Sequence, residues 1–218
     1  VCSSDLLQAQ RTRARAARSN DKSMGVQNAV LTDLKVPSDY VGWSETEVSN
    51  AAIVAIIGHD NQGVDALLAN AEPGDSVQLV FDKTPFYAEM GGQVADQGEV
   101  LNKQGEVVAH VTDTQSAPNG QHVHTVEVVT SFKLGDQVAL KVNLARHVAI
   151  SKNHTATHLL DQTLRNVIGG DVHQAGSLVE PEYLRFDFTH EGPVSEQNLE
   201  KIETMVNQVI ANNLPITW

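Results

Sequence analysis

Cysteine and long apolar runs are scarce in this sequence. Cys2 is the single cysteine among 218 residues, which excludes an internal disulfide and is typical of a reducing compartment. We assign no role to that thiol. The longest apolar run, residues 51–57, is far too short to cross a bilayer. The composition therefore favours a globular protein that is not embedded in a membrane and that can bury a substantial core.

Positive charge is also scarce. The sequence has 15 Lys and Arg residues against 27 Asp and Glu residues, and its net charge is −12. This balance argues against non-specific nucleic-acid binding driven by bulk charge, and we expect no DNA or membrane partner. Basic side chains nevertheless gather at residues 11–18 and 146–165. Local basic spots of this kind can contact RNA. The alternative for the first cluster is a solvated helix face.

Two kinds of catalytic pattern are missing. The sequence has no Walker or dinucleotide-binding glycine pattern, and no carboxylate stands in a His-Glu-x-x-His arrangement. Neither a nucleotide-binding loop of those types nor a zinc-protease centre is therefore predicted.

Residues 26–143 have the pattern of a β-rich domain. The preceding residues 1–25 are interpreted as the end of a helical connection, because residues 8–19 are good helix formers with no apolar stripe of their own. Apolar and polar residues then alternate, and two Gly-Asp turns each precede a strand. The predicted strands are residues 51–58, 76–81, 94–101, 107–112, 122–129 and 137–142. Many short strands at this spacing predict a small, closed or nearly closed antiparallel β-barrel.

Residues 144–218 have the pattern of an α+β domain, with helices packed on an antiparallel sheet. Asn153 is predicted to cap a first helix whose core side is Leu160, Leu164, Val167 and Ile168 and which ends at residues 169–170. Residues 172–179 and 183–188 read as a hairpin. Ser195 is predicted to cap a second helix, with an apolar face of Leu199, Ile202, Val206, Val209 and Ile210. A strand beginning after Pro215 is expected to be truncated at Trp218.

The loop at residues 84–93 stands out within the predicted barrel. Pro85 stiffens a turn, while Gly91 and Gly92 allow another backbone to come close. One interpretation is a β-bulge or a tight corner. The other is a loop approached by a nucleic-acid backbone or by the neighbouring domain, which makes Gly91, Gly92 and Gln93 candidate nucleic-acid-binding residues.

His154 and His158 are the candidate metal ligands. Residues four apart lie above one another on one face of a helix, and neutral imidazoles at that spacing can both reach one Zn²⁺. A catalytic zinc site usually has three protein ligands and an open position. The alternative is a pair of histidines on a polar helix face, and the pair alone does not decide between the two.

Four motifs in order resemble alanyl-tRNA synthetase, specifically its editing region. They are residues 85–94 (PFYAEMGGQV), 153–160 (NHTATHLL), 174–179 (QAGSLV) and 184–188 (LRFDF). The resemblance covers residues 8–218, and the same editing module resembles that of threonyl-tRNA synthetase and of free-standing alanyl-tRNA deacylases. It implies a β-barrel followed by an α+β editing domain, in agreement with the pattern above.

The resemblance implies a zinc site built from His-x-x-x-His and a later Cys-x-x-x-His. His154 and His158 match the first half, and the remaining Cys and His ligands are expected beyond Trp218. A site with two of its ligands is expected to hold Zn²⁺ poorly. His173 and His190 do not match the family's ligand positions, so they are taken as ordinary strand or turn histidines.

The implied reaction is hydrolysis of the ester that joins a wrong amino acid, Ser or Gly, to the acceptor end of tRNA(Ala). Thr157 and Gln174 match family positions associated with the editing pocket and are the candidate catalytic residues. Arg185 is a candidate ligand for the terminal phosphate or ribose, and the alternative is an ion pair with Asp187 or a neighbouring strand. Zinc would either orient the substrate or polarise water.

The resemblance further implies a cytoplasmic protein of translation. ATP and Mg²⁺ would serve only the aminoacylation domain, which nothing in these residues resembles. We carry two other hypotheses: a free-standing deacylase with the same chemistry, and a non-catalytic RNA-binding module in which the histidines are structural. The oligomeric state is not predicted.

Overall fold

A computed structural model describes residues 30–31, 34–36, 38–59 and 64–215. The helix predicted at residues 8–19 and the strand expected after Pro215 lie outside these ranges. Within them, the chain forms thirteen strands and two helices, besides the helical residues 30–31. The strands are β1 Asp39–Tyr40, β2 Glu47–His59, β3 Asp65–Leu67, β4 Asn70–Ala71, β5 Ser76–Phe81, β6 Lys83–Thr84, β7 Gly98–Leu101, β8 Val107–Ser116, β9 His122–Val128, β10 Phe132–Lys133, β11 Gln137–Val142, β12 Gln174–Val179 and β13 Leu184–Phe188; the helices are α1 Leu144–Val167 and α2 Glu196–Ala211.

Six strands close into an antiparallel barrel. Their order is β11-β7-β8-β9-β5-β2, and β11 also pairs with β2, which leaves no edge between the first and last strands. β2 is long enough, at 13 residues, to pair first with β11, then with β5, and finally with β3. The alternating side chains of these strands fill the barrel, with Ile56, Leu79 and Val100 fully buried. The α+β fold class, with a small barrel followed by helices and a hairpin, is confirmed.

The predicted strand at residues 94–101 is wrong in its first half, because only Gly98–Leu101 joins the sheet as β7. The backbone before β7 makes other hydrogen bonds: the Val94 N–H donates to the Val179 carbonyl at 3.1 Å, and the Asp96 N–H to the Tyr87 carbonyl at 2.9 Å. A pattern of alternating residues cannot reveal such long-range partners.

Helix α1 begins at Leu144, well before Asn153, so the prediction of Asn153 as its cap is wrong. Asn143 is the cap, and its side chain accepts a hydrogen bond from the Arg146 N–H at 3.1 Å. It directly follows β11, and the next residues continue the helix without a break. The two histidines therefore lie in the middle of a 24-residue helix.

The hairpin β12–β13 and helix α2 pack against α1 around Leu164, Val172 and Ile202. Ser195 caps α2 as predicted, accepting from the Asn198 N–H at 3.3 Å. The apolar face predicted for α2 is only partly buried, since Leu199, Val209 and Ile210 remain exposed. Ile202 is buried and Val206 is partly buried in this cluster. Neither helix described here is long and apolar enough to cross a membrane.

Candidate functional site

The candidate site is centred on the two histidines of α1. Their rings are stacked, with centroids 5.0 Å apart and an angle of 20° between the planes. His154 is half-buried and His158 is exposed. The helical spacing thus places two imidazoles side by side at a surface, as predicted.

Gln93 brings the barrel to this histidine pair. Its Oε1 lies 2.5 Å from Nδ1 of His154, although 61 residues separate the two in sequence. Gln93 is buried, with 8% of the residue exposed. Gln93 was predicted to bind tRNA, and its role in tRNA binding stays a prediction. The structure shows a contact that the sequence did not indicate.

Hydrogen bonds hold the loop that carries Gln93 against strand β12. The Val179 N–H donates to the Gly92 carbonyl at 2.7 Å, and Gln93 forms a parallel bridge with Val179. Gly92 has a φ of +87°, and a Cβ built there would overlap the Ser177 backbone. The structure shows both a tight turn, in which the Gln93 N–H donates to the Met90 carbonyl at 3.1 Å, and the close approach of a neighbouring backbone, namely that of the hairpin.

Gly91 differs from Gly92. It also has a positive φ, +65°, but a Cβ built on it would meet nothing within 4 Å. Gly91 is exposed. The loop is therefore open to solvent two residues before Gln93, which contacts His154. Binding of tRNA by Gly91 and Gly92 stays a prediction.

The electrostatic surroundings favour a neutral His154. Burial lowers the pKa of its imidazole, and the neighbouring His158 lowers it further. A neutral imidazole is the form that binds a metal ion. No cluster of three or more His, Cys, Asp or Glu side chains suited to a metal ion occurs in the described parts of the chain. Among the described residues, His154 and His158 therefore have no third side chain of these types beside them, and their role as zinc ligands stays a prediction.

Thr157 and Gln174 occupy different environments. Thr157 is 7% exposed, and its hydroxyl donates to the Asn153 carbonyl at 2.8 Å within α1. Gln174 is exposed at the start of β12, opposite Phe188. Among the described side chains, no hydrogen bond joins either of them to the histidine pair. Their catalytic role stays a prediction.

Arg185 pairs with its neighbour on the same strand. Its Nε lies 3.2 Å from Oδ2 of Asp187, and both side chains are largely exposed. This is the ion pair that was considered as the alternative to phosphate binding. Because exposed pairs of this kind are weak, the contact leaves the guanidinium able to exchange partners, and its role toward tRNA stays a prediction.

Sequence reasoning missed a second link between α1 and the barrel. The Nδ1 atom of His147 lies 2.9 Å from Oδ2 of Asp96, whose carboxylate is 1% exposed. The Tyr87 N–H donates to the same carboxylate at 3.1 Å. The hydrogen bond to Asp96 raises the pKa of His147, burial opposes this, and the Asp96 charge adds to the rise. Nothing in the local pattern of either residue signals a pairing across 51 positions.

Asn153 forms a third link, to the turn of the hairpin. Its Nδ2 donates to the Glu180 carbonyl at 2.6 Å and lies 3.2 Å from the Pro181 carbonyl. The residue directly before His154 therefore fixes the hairpin, while His154 itself contacts the barrel loop.

Comparison with known proteins identifies the family of this chain. Residues 3–146 match the family model of tRNA synthetases class II (A). The chain is 99% identical over 214 residues to alanine–tRNA ligase of Leuconostoc citreum (strain KM20), covering 98% of this chain and 24% of that protein. It is 74% identical to alanine–tRNA ligase of Leuconostoc mesenteroides subsp. mesenteroides, again over 98% of this chain and 24% of that protein. The alanine–tRNA ligase of Pediococcus pentosaceus is 51% identical with the same coverage of 98% and 24%.

The chain thus spans about a quarter of the length of the curated relatives that it matches. The resemblance to alanyl-tRNA synthetases is confirmed along nearly all of its residues. This chain belongs to the family of class II (A) tRNA synthetases.

Proposed function

We propose that this chain is part of an alanine–tRNA ligase and that it carries most of a site that hydrolyses mischarged Ser- or Gly-tRNA(Ala). The observation that carries the proposal is the stacked pair of His154 and His158, held at a surface where the barrel loop and the hairpin meet α1. The similarity to alanine–tRNA ligases over 98% of the chain supports the parent protein over a free-standing deacylase.

His154 and His158 would hold the zinc ion, together with Cys and His ligands expected beyond Trp218. A zinc ion bound there would supply Lewis acidity for ester hydrolysis, or would orient the substrate. The lowered pKa of His154 keeps its imidazole neutral near pH 7, so no proton has to be displaced from this ligand by the metal.

The remaining side chains would bind and select the substrate. Thr157 and Gln174 would hold the seryl hydroxyl. Gly91 and Gly92 would let the tRNA backbone approach the loop. Arg185 would leave its ion pair with Asp187 and bind the terminal phosphate instead. A first pocket shaped for Ala rejects an added hydroxyl only modestly and cannot exclude the smaller Gly. A separate hydrolytic site that binds the hydroxyl removes the resulting errors.

The acceptor end of tRNA(Ala) would be the partner, in the cytoplasm. An acidic protein can bind it through the local basic spots, since His147, Lys152 and Arg165 lie on the same helix as the histidine pair. ATP and Mg²⁺ would serve aminoacylation elsewhere in the parent ligase.

The test is release of serine from Ser-tRNA(Ala) with zinc present, in a chain extended to the length of the curated relatives. The double variant His154→Ala/His158→Ala is expected to abolish release. The matched control is His173→Ala/His190→Ala, which removes two exposed histidines from the same unit and is expected to leave release unchanged. Equal rates for both double variants would refute the proposal and favour a non-catalytic RNA-binding module.

A further inference from the structure

Gln93 presents an oxygen to Nδ1 of His154. The atom nearest Nδ1 of the imidazole is the amide Oε1, and an amide oxygen only accepts hydrogen bonds. A neutral imidazole has one N–H and one lone pair. The hydrogen bond therefore requires the proton on Nδ1 and leaves the lone pair on Nε2.

The position of Gln93 is fixed from several sides. The Gln93 N–H and carbonyl both bond to Met90, at 3.1 and 3.3 Å, which closes a tight turn. The following residue, Val94, donates to the Val179 carbonyl, and Gly92 fits against Ser177 with no room for a Cβ. A side chain on so constrained a backbone can hold its partner in one orientation.

We propose that Gln93 is a positioning residue that sets the tautomer and ring orientation of His154. It acts from the barrel, so that Nε2 keeps its lone pair on a ring that is stacked on His158. Histidines that bind metals commonly have their second nitrogen fixed by an oxygen acceptor, which selects the tautomer and orients the ring. Here the acceptor is a neutral amide from a different structural unit.

The barrel thereby becomes part of the candidate site rather than a separate support. Without the Gln93 oxygen, no other acceptor among the described side chains would hold the proton on Nδ1 of His154, and that proton could move to Nε2. That shift would protonate the nitrogen whose lone pair is free when Nδ1 donates to Gln93. The consequence for a bound metal rests on the proposed function, whereas the tautomer itself can be measured without metal.

The test is nitrogen-15 NMR of the imidazoles in the full chain, without metal, at a pH where His154 is neutral. His154→Ala assigns the signals. We expect a protonated Nδ1 and an unprotonated Nε2 in the wild type. Gln93→Met keeps the length of the side chain but removes the acceptor, and it is expected to move most of the proton to Nε2. Gln93→Glu restores an oxygen acceptor and is expected to restore the Nδ1–H form.

The matched control is Gln97→Met. Gln97 is half-buried and donates to the Thr112 carbonyl at 2.8 Å, so the same substitution is made nearby without touching His154. It is expected to leave the tautomer unchanged. A wild type with the proton on Nε2, or a tautomer that is the same in Gln93→Met and the wild type, would overturn the proposal. The backbone spectrum of α1 reports whether each variant remains folded.

A separate measurement distinguishes this proposal from the proposed function. Serine release is measured for the same variants in the extended chain. The expected tautomer change without any hydrolysis by the wild type would support Gln93 as a positioning residue and refute the editing function. Hydrolysis by the wild type with no tautomer change in Gln93→Met would support the editing function and refute the positioning role of Gln93.

Discussion

At the scale of single residues, the carboxylate of Asp96 shows how strongly one side chain can depend on its partners. It is 1% exposed and accepts hydrogen bonds from His147 and from the Tyr87 N–H. A buried acceptor that loses a donor costs about 1–3 kcal/mol, because its lost hydration is not replaced. The pair connects the first turn of α1 to the segment before β7, close in sequence to Gln93.

We predict that His147→Ala lowers the free energy of unfolding by about 1–3 kcal/mol at about pH 6. Because the folded pKa of His147 is raised by Asp96, its contribution is complete below the unfolded pKa of about 6.5 and is lost as the pH rises through the folded pKa. The difference between wild type and variant should therefore shrink at about pH 9. Urea unfolding at both pH values measures this difference in the free energy of unfolding, and His190→Ala is the control. A difference that grows with pH would contradict the prediction.

Residues such as these also mark the limit of what the sequence can predict. The His154–His158 pair followed from helical spacing alone, because both residues lie on one element. The contacts of His154 with Gln93 and of His147 with Asp96 join residues 61 and 51 positions apart. Only the folded backbone brings them together, so no local pattern could have found them.

At the scale of elements, prediction succeeded where the local signals agreed. Strands β5 and β11 have the predicted bounds, Ser76–Phe81 and Gln137–Val142, because a Gly-Asp turn precedes each alternating run. Prediction failed for the cap of α1, where Asn143 and Asn153 are chemically equivalent candidates. It also failed for residues 94–97, because the Val94 N–H donates to the hairpin and the Asp96 N–H donates to Tyr87, so these residues do not join the strand ladder of β7.

The loop before β7 yields a prediction at this scale. Gly92→Ala should destabilise the contact between loop and hairpin, because its Cβ would overlap the Ser177 backbone at a φ of +87°. Gly91→Ala is the matched control, since its φ is also positive but its Cβ would meet nothing within 4 Å. The control should cost about 1–2 kcal/mol for the left-handed backbone, and Gly92→Ala should cost at least about 1 kcal/mol more.

Hydrogen exchange of the Val94 and Val179 amides measures where this stability is lost. Both amides donate across the loop–hairpin contact, so their exchange should accelerate in Gly92→Ala and change little in Gly91→Ala. Equal acceleration in the two variants would show that backbone strain alone, rather than the close approach of β12, explains the glycine at position 92.

At the scale of the whole molecule, one buried histidine makes the stability of the barrel depend on pH. His124 is fully buried; its Nε2 lies 2.8 Å from the Thr84 hydroxyl, and its Nδ1 lies 3.1 Å from the Leu79 carbonyl. Burial lowers its pKa to about 3, against a smaller opposing effect of the hydrogen bond to Leu79 and a further lowering by His122. The barrel therefore holds a neutral imidazole that the unfolded chain would protonate.

We predict that the free energy of unfolding falls as the pH drops below about 6.5. Between the folded and unfolded pKa values the unfolded state binds one more proton at His124, which costs about 1.4 kcal/mol of stability per pH unit. The decrease should reach about 2 kcal/mol by about pH 5. Urea unfolding followed by far-UV circular dichroism measures it, and a flat profile across this window would contradict the prediction.

His124 and His147 change the free energy of unfolding in opposite directions and in different pH ranges. His124 removes stability below the unfolded pKa, whereas His147 removes it above that value. The pH of maximum stability should consequently lie near about 6.5. In the variant His147→Ala the loss on the alkaline side should be smaller, while the loss on the acidic side should persist.

The central claim is that the His154–His158 pair belongs to a site that hydrolyses mischarged tRNA(Ala). The most direct measurement is the single-turnover rate of serine release from Ser-tRNA(Ala) by the extended chain with zinc. We predict that His154→Ala/His158→Ala reduces this rate by more than about 100-fold, because removing ligands should exceed the 10–100-fold effect of removing their supporting residues. A rate within a few-fold of that of the control His173→Ala/His190→Ala would contradict the claim.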